Sequence, residues 1–193
     1  MKKSLGIGLI MTAVIFLTGC GNNFEPTEST IYITSDGIVK SAIMESFDKA
    51  YYDFEELSED VEKEVKIYCL DVNEEVITVE SLTQENDMVS LFMSYASVED
   101  YKAFNDVLLF CGTYADAVKK GYVPEELHDA EGQSVDMNME ELEKLKVVVT
   151  EESICIQTSG KIQYTSDNVT IVDHKLARAM EAGKSHPAFV LYK

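Results

Sequence analysis

The chain has 193 residues, 46% of them apolar, with 35 acidic against 16 basic side chains and a formal charge of −19. That apolar fraction excludes wholesale disorder, and the length suffices for one domain or two small ones with a real core. The carboxylate excess argues against nucleic acid and against a fold lying flat on anionic lipid.

The N-terminus reads as an export address. Lys2 and Lys3 give a positive start, and residues 5–17 follow without a charge. This apolar run is shorter than the roughly 20 residues a membrane-spanning helix needs. Leu17-Thr18-Gly19-Cys20 then resembles the bacterial lipobox. The resemblance implies cleavage between Gly19 and Cys20, with a diacylglyceryl group on the Cys20 thiol. Two or more acyl chains anchor stably where one binds marginally. A plain secretory signal and an uncleaved anchor are the alternatives, but Gly19, Gly21, Asn22 and Asn23 make a poor membrane segment. Cleavage would leave 14 basic against 35 acidic residues, a charge of −21. That acidity also serves simply to keep an exported domain soluble.

Residues 20–29 are expected to be the lipidated cysteine and a polar linker. Residues 30–34 are β-branched and aromatic, and Asp36-Gly37 is a hairpin turn signal leading to a return strand over 38–47. Asp53 and Glu56 have capping-box spacing. Phe54, Leu57, Val61, Val65 and Tyr68 then recur at intervals of three and four, which predicts a helix of about 15 residues. The order repeats: strands over 76–82 and 88–95, then a short helix capped by Ser97 and Asp100. An apolar strand follows over 107–112. Thr113 and Asp116 cap a helix that stops at Lys119-Lys120-Gly121. Residues 125–138 are polar and expected as loop. Short strands over 147–149, 153–158, 161–165 and 169–172 suggest a meander, then a helical turn or two over 175–182 and a last strand over 189–192. The expected class is α+β: an antiparallel sheet from two strand–strand–helix units followed by a C-terminal meander. It would form one domain over 30–193, with 30–123 and 140–193 as possible halves.

Few residues carry legible chemistry. After Cys20, Cys69, Cys111 and Cys155 are widely spaced and sit in apolar runs, so they are expected as small buried hydrophobes rather than as a disulfide or zinc framework. His128, His174 and His186 are far apart, and no GxSxG, HExxH, P-loop or GxGxxG is present. Asp129, Glu131, Gln133 and Glu140 hint at a calcium loop, but Ser134 stands where the sharp turn needs Gly. No catalytic residue, cofactor or metal site is therefore assigned. Tyr51-Tyr52 is the one candidate for partner contact, against the alternative that they staple the helix and cover the sheet edge.

Asp36-Gly37-Ile38-Val39, followed by Phe47-Asp48-Lys49-Ala50-Tyr51-Tyr52-Asp53-Phe54-Glu55-Glu56-Leu57, resembles an uncharacterised family of lipoproteins of clostridia and related Gram-positive gut bacteria. Tyr101-Lys102-Ala103-Phe104-Asn105, Gly112-Thr113 and Ser166-Asp167-Asn168-Val169 share the likeness. It implies an envelope lipoprotein of Gram-positive type and supplies no active site. The expectation is thus a non-catalytic module facing outside the cytoplasm, tethered to the cell membrane through Cys20, that binds an envelope protein or a cell-wall component. A small extracytoplasmic hydrolase built on the histidines, and a small solute-binding lipoprotein, are the alternatives.

Overall fold

The capping boxes set the helices of the computed structural model, which describes residues 24–193. The Asp53 carboxylate accepts from the Glu55 and Glu56 amides, and Asn73 closes α1 (Phe54–Val72) in the left-handed conformation. Ser97 caps α2 (Val98–Asn105), and Thr113 caps α3 (Tyr114–Lys119). Side-chain oxygens here satisfy amides that have no partner within the helix.

The first strands are β1 (Thr30–Ile33), β2 (Val39–Ser46), β3 (Ile77–Glu85) and β4 (Met88–Tyr95). After α2 come β5 (Leu109–Thr113), then β6 (Leu127–His128) and β7 (Lys146–Thr150) beyond α3. The chain closes with β8 (Cys155–Gln157), β9 (Ile162–Ser166), β10 (Val169–Asp173), β11 (Leu176–Ala179) and β12 (Ala188–Tyr192). The class is α+β. Two sheets form, in the orders β10-β11-β8-β1-β2-β4-β3 and β5-β7-β12-β9-β6.

The main core lies between them. Ile31, Ile33, Val39, Met93 and Tyr95 of the first sheet meet Leu109, Val148, Val190 and Tyr192 of the second. The second sheet is also covered on its other face. There Val147, Val149, Phe189 and Leu191 form a separate cluster with Tyr114 and Ala117 of α3 and with Leu142 and Leu145. Burial on both faces explains why β7 and β12 read as unbroken apolar runs rather than alternating ones.

Three expectations are corrected. The C-terminal strands are not a meander: β7, β9 and β12 join the second sheet, whereas β8, β10 and β11 join the first. β8 even runs parallel to β1, with Cys155 opposite Thr30. Residues 175–182 hold no helical turn; their centre is β11, laddered to β8 and β10. Good helix formers there yield to an available sheet position, as local propensity does when tertiary pairing competes. Residues 24–29 are not a free linker. The Phe24 ring stacks on Tyr32 at 6.0 Å and meets Phe92 edge-on at 6.4 Å. Arg178 grips both Glu28 oxygens, at 2.5 and 3.1 Å. Ser29 Oγ accepts from the Met44 amide at 2.9 Å.

One glycine is sterically fixed. A Cβ on Gly160 would land on the backbone carbonyl of Lys193, beside the point where the Lys193 amide donates to Lys161. Gly160→Ala should therefore displace the end of β12 and cost about 1–3 kcal/mol, as overpacking does. A urea titration with an unshifted midpoint would refute this.

Candidate functional site

A cleft opens at one end of the sandwich, where five segments converge around about 510 Å³. They are the β1–β2 turn, the β4–α2 link, the β5–α3 corner, the start of β7 and the end of β12. Each is held by local chemistry. Gly37 takes φ 92°, which L side chains rarely adopt, and Thr34 Oγ1 donates to the Ile38 carbonyl at 3.0 Å. Thr113 Oγ1 donates to Asp116 at 2.7 Å, and Lys119 reaches the same carboxylate at 3.1 Å.

The charges in the cleft are uneven. Asp36, Glu99 and Asp116 stand against Lys146. The Thr34 hydroxyl holds the Asp36 carboxyl below its ordinary range, and the Thr113 hydroxyl followed by Lys119 does the same for Asp116. Both stay ionised at neutral pH. Deeper in, Cys111 Sγ lies 3.8 Å from Tyr192 Oη. Burial pushes both groups up, so the Cys111 thiol is protonated at neutral pH and is a poor nucleophile. Such a cleft suits a ligand carrying positive charge better than bond-breaking by a thiolate.

Tyr51 and Tyr52 lie between β2 and α1. Tyr52 stacks on Phe47 at 4.7 Å, and Tyr51 meets Tyr52 edge-on at 4.9 Å. Tyr51 is 77% and Tyr52 42% exposed, so together they present a surface aromatic group. The structure does not unite the histidines on one partner. His128 lies 3.6 Å from Glu126, His174 3.7 Å from Asp173, and His186 3.4 Å from Asp167. In the acidic loop, the Asp129 carboxylate is turned onto the Glu131 and Gln133 amides, and Asp136 onto Asn138. Among the described residues, no group of three or more His, Cys, Asp or Glu is arranged to hold a metal. Cys69, Cys111 and Cys155 are free thiols. Gly19 and Cys20 lie outside the described residues.

Two features had little trace in the sequence. The cleft lining comes from segments far apart in the chain, and only its turn and its cap were locally legible. The other is Glu152, in the β7–β8 connection. Its carboxylate accepts from Tyr101 Oη at 3.0 and 3.2 Å, while neighbouring Glu151 accepts from the Leu108 amide at 3.0 Å. Burial, with a smaller contribution from Glu151, holds Glu152 above the ordinary carboxylate range despite the Tyr101 hydrogen bond.

Fold and site together define a two-sheet α+β protein with an acidic end cleft. No helix among the described residues is long and apolar enough to cross a membrane. No family model, curated protein or solved structure matches the chain.

Proposed function

We propose that the protein is a lipoprotein held on the outer side of the cell membrane through Cys20, and that its folded part is a binding module of the cell envelope. The observation that carries this is the lipobox Leu17-Thr18-Gly19-Cys20 placed directly before the folded body. Only Gly21, Asn22 and Asn23 separate Cys20 from Phe24, whose ring rests on the first sheet. At about 3.3–3.6 Å per residue, that tether reaches roughly 14 Å at full stretch. The ligand or partner is therefore met at the membrane surface: an envelope protein or a cell-wall component. The end cleft and the exposed Tyr51–Tyr52 pair support binding as the activity.

The test is Cys20→Ala in the full chain, expressed in a Gram-positive host fed radiolabelled palmitate. Label incorporation is expected to vanish and the signal segment to remain attached. Incorporation equal to that of the unaltered protein would sink the anchor.

A further inference from the structure

α1 is amphipathic, yet its apolar face is incompletely covered. None of its side chains is fully buried. Near its C-terminal end Val72, on that face, is open, and Leu70, turned well away from it towards the flank, is 68% exposed. Between this end of α1 and β3 runs a groove of about 760 Å³. Val65, Cys69, Ile77 and Val79 line its apolar surface, together with Leu70. Its charged lining is Glu62, Glu74 and Glu75 against Lys66. From Glu62 to Asn73 the helix rises roughly 17 Å at 1.5 Å per residue, about three turns.

We propose that this groove receives a basic amphipathic helix from a partner protein, its apolar side chains on the groove floor and its lysines or arginines against Glu62, Glu74 and Glu75. Helices dock into such grooves through anchors at i, i+4 and i+7, which three turns accommodate. Charge selects the occupant. A second copy of this chain, at −19, brings the same repulsion, and an anionic bilayer is repelled likewise. An extended segment adding to the sheet fits less well. β3 is the outermost strand of its sheet, but its ladder shifts between Val79 and Ser81 and Glu80 is exposed there. Bulges and charges of this kind guard sheet edges against added strands. The proposal deepens the binding-module reading and rests on it. The two fail separately, because lipid labelling of Cys20 does not depend on the groove.

The probe is a fluorescent peptide of about 14 residues with leucine at i, i+4 and i+7 and lysine elsewhere. It is titrated against the full chain in phosphatidylcholine bilayer discs, with empty discs subtracted. Saturable binding is expected, and a glutamate-for-lysine version of the peptide should not bind. Leu70→Glu should weaken binding by about tenfold or more, the size of a single interface anchor. The triple change Glu62→Lys, Glu74→Lys, Glu75→Lys should do the same. The same number of reversals at Glu140, Glu141 and Glu143, all exposed and outside the groove, should weaken it by less than about threefold, because screened surface charges act weakly at a distance. Circular dichroism checks that each variant is folded; Leu70 is exposed enough that its replacement spares the core. Equal losses from both triple reversals would reduce the effect to general charge attraction and overturn the proposal. Indifference to Leu70→Glu, or no saturable binding, would overturn it too.

Discussion

Ile31→Ala lowers the free energy of unfolding by about 2–5 kcal/mol, read as a fall in the urea midpoint at unchanged slope. Ile31 is 0% exposed and lies in the core between the sheets. Its strand is hydrogen-bonded on both sides, with Ser41 of β2 and Ile156 of β8 opposite it. Strands fixed on either flank cannot close over a missing side chain, so the cavity persists and the cost falls in the upper part of that range. Leu191→Ala makes the equivalent cavity in the other core, where Leu191 faces α3 and the 142–145 turn. It is expected to cost a similar amount.

The two variants also test whether the cores are one cooperative unit. β8, β10 and β11 lie in the first sheet, yet they alternate along the chain with β7, β9 and β12 of the second. Neither sheet forms without threading the other. Tyrosine fluorescence and far-ultraviolet circular dichroism should therefore give coincident transitions in both variants; with ten tyrosines and no tryptophan, tyrosine is the natural probe. Probe-dependent midpoints would divide the chain into independently melting parts, with 30–123 and 140–193 as the possible halves.

What the sequence made legible was local. The capping boxes at Asp53, Ser97 and Thr113 are decided within a few residues, and α1, α2 and α3 begin where those boxes place them. The Asp36-Gly37 turn and the strand Met88–Tyr95 were readable for the same reason. Allocation of strands to sheets was not. Nothing within 155–157 marks β8 as a parallel partner of β1, because that choice depends on residues more than a hundred positions away. Lys175 to Ala179 shows the cost of a local reading: alternation of Leu176, Ala177, Arg178 and Ala179 fits a strand once neighbouring edges exist, but residue preferences alone favour a helix. Phe24 offered a fainter signal, a lone aromatic in a polar stretch. The candidate site fared as the strands did. Cys111, Lys146 and Tyr192 look like strand residues, and only the sandwich brings them to one cleft.

Glu152 is the sharpest case of a residue whose role no neighbour in sequence announces, and it yields the second large effect. Tyr101 is 3% exposed, and its hydroxyl donates to the Glu152 carboxylate. Glu152→Ala removes that acceptor and leaves Tyr101 with only the Ser41 hydroxyl as a side-chain partner, at a cost of about 1–3 kcal/mol plus the lost packing. Glu152→Gln keeps an acceptor oxygen and removes the charge. The folded carboxyl titrates above its ordinary 4.5, chiefly because burial disfavours the ion. Between 4.5 and the folded value the native state binds more protons than the unfolded state, so stability from this group falls as pH rises through that window. At pH 7 the wild type therefore carries a buried-charge penalty that Gln lacks. Glu152→Gln is expected to be as stable as the wild type or more so at pH 7, and Glu152→Ala clearly less. As pH falls towards 4.5 the wild type should gain on Glu152→Gln. Comparing the two proteins cancels the other carboxylates, including Asp36 and Asp116, whose lowered values act in the opposite sense. A double-mutant cycle with Tyr101→Phe isolates the hydroxyl–carboxylate coupling. A pH-independent difference between wild type and Glu152→Gln would show that the burial of this carboxyl has no energetic consequence.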